Sequence, residues 1–305
     1  MSIEACLPDE LRASTITPIT RGLSGAGVYR VENGEKAYVL KVSGEDRPAA
    51  EWRRSLHVQR VAAEAGLAPP VVHEDEERRA IVSAFVADRG FPMFYGDPRT
   101  HAAAIDLLGR TMRRVHQLPP PPGARPADPR AMLASAWDEL SAETAPPSFV
   151  GETVRRALDA EPPAGDGELV LSHNDVNPGN LIYDGERILL VDWEHAAPND
   201  RYFDLAAIAV FLRMSADDCL RLLAAYGAPA DTVPTRFDYQ RRLVAVLCGV
   251  VFLRLAGGAG GDESPDASPS LAEIYLGMRT GAVTLASAEG RRQFGLALVK
   301  ESRAF

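Results

Sequence analysis

Residues 169–194 read Leu-Val-Leu-Ser-His-Asn-Asp-Val-Asn-Pro-Gly-Asn-Leu-Ile-Tyr-Asp-Gly-Glu-Arg-Ile-Leu-Leu-Val-Asp-Trp-Glu, and the interpretation of the whole chain starts from this stretch. An apolar run leads into a polar loop at 173–180, and a short hairpin then ends on an acidic residue, Asp192. Because strands bound the polar positions on both sides, we expect Asp175, Asn180 and Asp192 to lie close together.

The spacing of these polar residues matches the chemistry of phosphoryl transfer. It is His173-x-Asp175-x-x-x-x-Asn180, followed about a dozen residues later by Asp192 after an apolar strand. Asp175 suits an acceptor for the proton of a substrate hydroxyl, whereas oxygen atoms of Asn180 and Asp192 suit Mg²⁺. The alternative is that Asp175 and Asn180 only form turn hydrogen bonds around Pro178-Gly179. The complete loop and the interval to Asp192 favour the catalytic interpretation.

The composition limits the class of protein. A length of 305 residues with 46% hydrophobic content is enough for one large domain or two lobes and excludes a disordered chain. The formal net charge of -9 gives no electrostatic footprint for nucleic acid and favours a cationic small substrate. The N-terminus shows no signal peptide, and the most apolar segment, 243–255, is too short to span a bilayer. We therefore expect a cytoplasmic protein without a nucleic-acid partner or a membrane span, and the oligomeric state stays open.

The stretch from Leu171 to Ala206 resembles the choline/ethanolamine kinase and aminoglycoside phosphotransferase superfamily. The resemblance lies in His173-Asn174-Asp175, Asp192-Trp193-Glu194 and Phe203-Asp204-Leu205-Ala206, which look most like bacterial choline kinase-like proteins. It implies a two-lobed α+β, protein-kinase-like fold. A nucleotide-binding lobe at 1–86 would hold a small antiparallel sheet of about five strands, and a mostly helical lobe at 87–305 would hold the catalytic loop and the substrate site. ATP and Mg²⁺ are the cofactors that the resemblance implies.

A loop of small residues at 23–30 leads into the predicted hairpin around Asn33-Gly34. Ser24, Gly25 and Gly27 would let backbone amides approach phosphate groups. The alternative is that these glycines only serve the geometry of the turn. The loop also lacks the third glycine of the full kinase pattern.

Lys41 follows on the returning strand in an apolar context, where an ammonium group needs a partner. By resemblance, Lys41 would hold the ATP phosphates, and Glu51 in the first turn of the next helix would orient Lys41 through an ion pair. The alternative is that Glu51 only favours the N-terminus of that helix.

Residues 80–86 are interpreted as an apolar strand leading into the hinge between the lobes. Backbone groups at Ser83, Phe85 and Val86 are expected to bind adenine. The family commonly has an acidic residue near Ala84, and this chain departs from that pattern.

One histidine and one acid are expected to support the site from behind, and a second histidine is expected to serve the fold. His116, near the end of a helix at 98–118 that contains Gly109, is interpreted as a packed or capping residue. The resemblance implies that His173 and Asp204 hold the catalytic loop in place. Asp204 also suits the start of a helix, predicted at 203–213 after a loop at 196–200.

The function expected from these observations is an ATP-dependent small-molecule kinase. The acceptor would be the hydroxyl of a small cationic alcohol of the choline or ethanolamine type, with an aminoglycoside or thiamine as the alternative. Trp193, Tyr202 and Glu194 would begin a pocket for the cation, because aromatic faces and carboxylates bind quaternary ammonium groups. A catalytically inactive nucleotide-binding protein is the non-enzymatic alternative.

Overall fold

The computed structural model of the chain describes residues 2–19, 27–44, 47–164, 168–257 and 264–305. The chain divides into two compact units. The first comprises Met1–Pro126, Leu169–Asp204 and Ser215–Asp231, and the second comprises Ala127–Glu168, Leu205–Met214 and Thr232–Phe305. Each unit has its own cluster of buried apolar side chains, so burial stabilises each of them from within.

The described residues form the following strands and helices. The strands are β1 Thr15–Pro18, β2 Gly27–Asn33, β3 Lys36–Val42, β4 Val71–Asp75, β5 Ala80–Ala84, β6 Leu169–Ser172, β7 Leu181–Tyr183, β8 Ile188–Leu190 and β9 Ala197–Asp200. The helices are α1 Ala49–Glu64, α2 Phe91–Gly96, α3 His101–His116, α4 Pro129–Glu143, α5 Ser148–Asp159, α6 Arg201–Phe211, α7 Ala216–Tyr226, α8 Thr235–Leu255, α9 Leu271–Thr280 and α10 Ala288–Glu301. A sheet in the N-terminal part followed by a mostly helical remainder confirms the predicted α+β fold class.

The first unit begins with a five-stranded antiparallel sheet in the order β1-β2-β3-β5-β4. The predicted hairpin joins β2 to β3 through a two-residue loop, in which Gly34 has a φ of +60°. That left-handed conformation costs glycine little, because it has no Cβ. Val31, Leu40 and Val82 are fully buried on one face of the sheet, where they pack with apolar residues of the N-terminal segment.

α1 packs against the sheet through one apolar face, which leaves its polar residues on the other faces of the helix. Trp52 and Leu56 form a buried cluster with Ile81 of β5. These two positions are four residues apart and therefore share one face of the helix. α1 ends before Gly66, whose φ of +69° stops the helix in the manner expected of glycine.

The stretch with the polar motif forms two small antiparallel pairs, β6 with β9 and β7 with β8. The prediction of a loop at 196–200 was wrong from Ala197 onward, because the backbone of that segment hydrogen-bonds to β6 as a strand. Pro198 and Asn199 are residue types common in turns, which is why the sequence predicted a loop instead of a strand. The polar loop at 173–180 thus begins directly at the end of β6.

α3 and α7 pack closely in the first unit. Gly109, which is a weak point for an isolated helix, lies at their crossing: a Cβ there would be 2.7 Å from the Cβ of Ala225. The predicted helix at 98–118 begins and ends slightly inside its expected bounds, at His101 and His116. Gly109 therefore allows a close helix contact that the sequence alone did not reveal.

The second unit consists of helices packed around a buried cluster that includes Ala245, Phe294 and Leu298. α8 and α10 approach each other at two glycines, since a Cβ on Gly249 would lie 2.9 Å from the carbonyl oxygen of Gly295. The apolar segment at 243–255 is the second half of α8. Within the described ranges, no helix is long and apolar enough to cross a membrane.

Candidate active site

The side chain of Asp175 is held within its own loop by two asparagine amides. Asn180 Nδ2 donates to Asp175 Oδ2 at 2.7 Å and to its backbone oxygen at 2.9 Å. Asn177 Nδ2 donates to Asp175 Oδ1 at 3.1 Å, and Asn177 Oδ1 accepts from the amide of Gly179 at 2.9 Å. The turn hydrogen bonds around Pro178-Gly179 are therefore present, and the asparagine amides orient the carboxylate of Asp175.

The surroundings of Asp175 make its carboxylate a stronger base than a free aspartate. Burial raises the pKa of Asp175 above its ordinary value, and the negative charge of Asp192 adds to the rise. The hydrogen bond from Asn180 acts in the opposite direction. A carboxylate with a raised pKa that stays hydrogen-bonded and oriented suits acceptance of a proton from a substrate hydroxyl.

His173 lies behind the loop and is fully buried. Its Nε2 donates to the backbone oxygen of Val191 at 3.0 Å, and its ring meets the indole of Trp193 edge-on at a centroid distance of 4.8 Å. Burial lowers the pKa of His173, which keeps the imidazole neutral. His173 thus links the catalytic loop to the residue before Asp192.

Asp204 anchors the backbone of the same loop. Its Oδ2 accepts from the amide of His173 at 2.7 Å, and its Oδ1 accepts from the amide of Asn174 at 2.9 Å. His116 Nε2 donates to Oδ2 at 3.1 Å. Burial by itself would raise the pKa of Asp204, but the hydrogen bond from His116 and those from the loop amides outweigh it, so this pKa lies below its ordinary value. The carboxylate therefore stays ionised and holds two successive amides of the loop.

The ammonium group of Lys41 in β3 lies beside the carboxylates of Asp192 and Glu194. Its Nζ lies 2.5 Å from Asp192 Oδ1 and 3.3 Å from Glu194 Oε2. Arg47 adds an ion pair to Glu194 at 3.1 Å and a hydrogen bond to its backbone oxygen at 3.3 Å. Asp192 itself has φ of 68° and ψ of 61°, a left-handed conformation unusual for a residue other than glycine. This network joins positions 151 residues apart in the sequence.

The predicted ion pair between Lys41 and Glu51 is wrong for this structure. Within the described part of the chain, the carboxylates that pair with Lys41 are those of Asp192 and Glu194, and Glu51 is exposed. The reason is the orientation of α1: its buried face carries Trp52 and its neighbours, so the first-turn Glu51 points to solvent. Glu194 takes the position beside Lys41 that the resemblance assigned to Glu51.

The oxygen atoms around Asp192 fit a magnesium ion. Asn180 uses its Nδ2 for Asp175, and Asp192 uses Oδ1 for Lys41, which leaves one oxygen of each side chain without a hydrogen bond to the described residues. Among those residues, no group of three or more His, Cys, Asp or Glu side chains is arranged to hold a metal. Mg²⁺ typically takes one or two protein ligands together with substrate phosphates and water, and Asn180 with Asp192 matches that pattern.

The predicted phosphate loop falls partly outside the described residues. Ser24 and Gly25 lie outside them, and Gly27 begins β2 opposite Val42. A Cβ on Gly27 would lie 2.9 Å from the ring of Tyr29, so the position favours glycine for a local packing reason. Its contact with phosphate stays a prediction.

The predicted adenine-binding segment is largely engaged within the sheet. Ser83 is buried, and its hydroxyl accepts from Gln59 at 3.0 Å. The amide of Phe85 donates to the backbone oxygen of Ala37 at 3.0 Å. Two of the three residues expected to contact adenine therefore already serve the fold, and adenine binding at Ser83, Phe85 and Val86 stays a prediction.

The predicted cation pocket requires correction. Trp193 is 2% exposed and its indole donates to the backbone oxygen of Leu190 at 3.0 Å, so its ring packs in the core instead of facing a substrate. The carboxylate of Glu194 is neutralised by Lys41 and Arg47. Tyr202 is half-buried, and the guanidinium of Arg201 lies 5.3 Å from its ring centre. The expected substrate contact by Trp193 is thus wrong, and contacts by Glu194 and Tyr202 stay predictions.

Sequence reasoning missed the contacts of Arg47 with Glu194 and gave His116 a packed or capping role without its hydrogen bond to Asp204. Arg47 follows β3 in a charged segment and gives no signal of its own. His116 and Asp204 are 88 positions apart, and no spacing pattern in the sequence connects them. Only the tertiary contacts reveal that these residues support the catalytic stretch.

Comparison with known proteins gives the family and the fold of the chain. The profile of the phosphotransferase enzyme family matches residues 15–242. A choline/ethanolamine kinase family protein from Mesorhizobium loti has a similar structure, with a TM-score of 0.60 and 21% identity over 95% of this chain and 93% of that one. Choline kinase LicA from Streptococcus pneumoniae gives a TM-score of 0.60 and 16% identity over 88% and 93% of the two chains.

A spectinomycin phosphotransferase solved with ADP and spectinomycin gives a TM-score of 0.56 and 15% identity over 95% and 93% of the two chains. A search by sequence among curated proteins found no match. The structural likenesses are low in identity and show the fold, whereas the profile match covers more than half of the chain. The chain therefore belongs to the phosphotransferase enzyme family.

Proposed function

We propose that this protein is an ATP- and magnesium-dependent kinase that transfers the γ-phosphoryl group to a hydroxyl of a small cationic alcohol. The proposal rests on one observation: the first unit contains both an oriented carboxylate, Asp175, and a cluster of charged residues around Asp192. Asp175 is fixed by Asn180 at 2.7 Å, and Asp192 is paired with Lys41 at 2.5 Å. Phosphoryl transfer needs little covalent chemistry from the protein and depends on such positioning and charge.

Each residue then has a separate task. Asp175 accepts the proton of the attacking hydroxyl, for which burial and the raised pKa prepare its carboxylate. Lys41 binds the phosphates of the nucleotide and is held between Asp192 and Glu194. Asn180 and Asp192 would hold Mg²⁺, which when bound neutralises charge on the phosphates.

The proposed acceptor follows from the net charge of the protein and from its similarity in fold to other kinases. The net charge of -9 favours a cation, and proteins of similar fold include a choline kinase and a choline/ethanolamine kinase family protein. The burial of Trp193 removes one expected pocket residue. The aromatic contacts of the cation would then come from other residues. An ATP-dependent reaction fits a cytoplasmic location, as do three cysteines that form no disulfide in the described chain.

The test is a coupled assay of ADP release with choline, ethanolamine, thiamine and kanamycin offered side by side. We expect the highest kcat/KM for choline or ethanolamine. A preference for kanamycin by about tenfold, which equals about 1.4 kcal/mol of differential transition-state binding, would assign the chain to aminoglycosides instead.

The non-enzymatic alternative makes a different prediction. An inactive member would bind nucleotide and release no ADP with any acceptor. Asp175→Asn serves as the matched control, because it removes one charge and keeps the shape of the side chain. Equal ADP release by the wild type and by this variant would show that the measured turnover does not come from this site.

A further inference from the structure

A chain of buried hydrogen bonds runs from α7 to the catalytic loop. The hydroxyl of Tyr226 lies 2.9 Å from His116 Nδ1, and His116 Nε2 lies 3.1 Å from Asp204 Oδ2. Tyr226 is 8% exposed, His116 7% and Asp204 0%. Asp204 in turn accepts the amides of His173 and Asn174. Water has little access to any link of this chain.

The carboxylate of Asp204 fixes the direction of one link in this chain. An ionised carboxylate only accepts, so His116 must carry a proton on Nε2 to donate to Asp204. The hydroxyl of Tyr226 lies 2.9 Å from the other ring nitrogen, Nδ1. The tyrosine therefore holds the imidazole in the orientation in which Nε2 faces Asp204.

We propose that Tyr226 and His116 are positioning residues that act through Asp204 to fix the backbone of the catalytic loop and thereby the carboxylate of Asp175. Asp175 follows Asn174 directly, and the amide of Asn174 is bound by Asp204 at 2.9 Å. Asn174 also has a φ of 63°, a left-handed conformation that needs support from its surroundings. The catalytic consequence rests on the proposed function, whereas the effect on the loop backbone does not.

The packing of α3 against α7 makes this contact possible. A Cβ at position 109 would lie 2.8 Å from the backbone oxygen of Leu222 and 3.0 Å from the backbone nitrogen of Tyr226. Gly109 is two helical turns before His116 on α3, so it brings α7 close enough for the hydroxyl of Tyr226 to reach the imidazole. The glycine thus sets the distance on which the hydrogen-bond chain depends.

The first experiment measures hydrogen exchange of the His173 and Asn174 amides in Tyr226→Phe. Loss of one buried neutral hydrogen bond should speed exchange of these two amides about threefold to tenfold, through more frequent local opening of the loop. Amides of α3 serve as the internal reference. Unchanged exchange at both positions would overturn the proposal, whatever reaction the protein catalyses.

The matched control is Tyr275→Phe. The hydroxyl of Tyr275 donates to the backbone oxygen of Phe211 at 2.8 Å in the second unit, so the variant loses a comparable hydrogen bond away from the loop. It should leave the exchange of the His173 and Asn174 amides unchanged. Equal acceleration in both variants would show a general loss of stability and would also overturn the proposal.

The second experiment separates kcat from nucleotide affinity. Tyr226→Phe should lower kcat about threefold to tenfold and leave ATP affinity within about twofold, because Lys41 and Asp192 lie on other segments. His116→Gln keeps a donor for Asp204 and should resemble Tyr226→Phe, whereas His116→Leu should lower kcat further. Equal losses in kcat for the Gln and Leu variants would contradict the role of the Nε2 donor.

Gly109→Ala tests the helix contact without touching the hydrogen-bonding groups. It should reproduce the faster amide exchange of Tyr226→Phe, because the added methyl group moves α7 away from α3. If no acceptor supports turnover, the exchange measurements still decide the inference. Failure of the proposed function is thereby distinguishable from failure of the hydrogen-bond chain.

Discussion

The structure reassigns the partner of Lys41, and this reassignment leads to a sharp prediction for Glu194→Gln and Glu51→Gln. Glu194 contacts Lys41 at 3.3 Å and Arg47 at 3.1 Å, with side chains 22%, 22% and 17% exposed. Glu51 is exposed and forms no ion pair with Lys41 in the described chain. The two glutamines remove the same charge, so they differ only in position.

The magnitude follows from the exposure of the pairs. Partly exposed ion pairs are worth about 0.5–1 kcal/mol each. Loss of the pair between Glu194 and Lys41 therefore weakens the positioning of Lys41 by about 0.5–1 kcal/mol, which corresponds to about twofold to fivefold in affinity for the nucleotide. Glu51→Gln should change that affinity by less than about twofold.

The assay is calorimetric titration of each purified variant with ATP in the presence of magnesium, which requires no knowledge of the acceptor. Circular dichroism of the variants controls for folding. The reasoning is refuted if Glu51→Gln weakens ATP binding as much as Glu194→Gln does, since that result would restore the ion pair predicted from the resemblance.

Three further predictions concern other groups. Asp175→Asn should lower kcat by about a hundredfold to ten-thousandfold and leave ATP affinity nearly intact, measured by coupled assay and calorimetry; normal turnover would exclude Asp175 as the base. Asp192→Ala should abolish the magnesium dependence of ATP affinity, because a methyl group cannot bind a cation; an unchanged magnesium dependence would contradict this assignment. His101 donates to the backbone oxygen of Tyr95 at 2.7 Å and to Asp218 at 2.9 Å, and these bonds raise the pKa of His101. The stability that His101 contributes to the fold is fully present below about pH 6.5, the ordinary histidine value, and is lost as the pH rises through the raised pKa. Urea unfolding should therefore show that His101→Asn destabilises the protein less at high pH than near about pH 6.

The sequence by itself determined the parts of this protein that depend on local spacing. The interval from Asp175 to Asn180 predicted that these two side chains meet, because a short loop leaves few ways to arrange them, and Asn180 does bind Asp175. The Asn33-Gly34 hairpin followed from turn chemistry, and α3 followed from helix periodicity. These features use contacts between residues close in the chain.

The tertiary structure decided which distant groups meet. Lys41 pairs with residues 151 and 153 positions away, and periodicity could not distinguish Glu194 from Glu51 as its partner. Burial of Trp193 also follows from packing against His173, which the sequence pattern does not encode. Similarly, Tyr226 reaches His116 across 110 positions because Gly109 allows two helices to approach. Such contacts arise from the packing of whole elements, and short-range sequence patterns contain no information about their final distances.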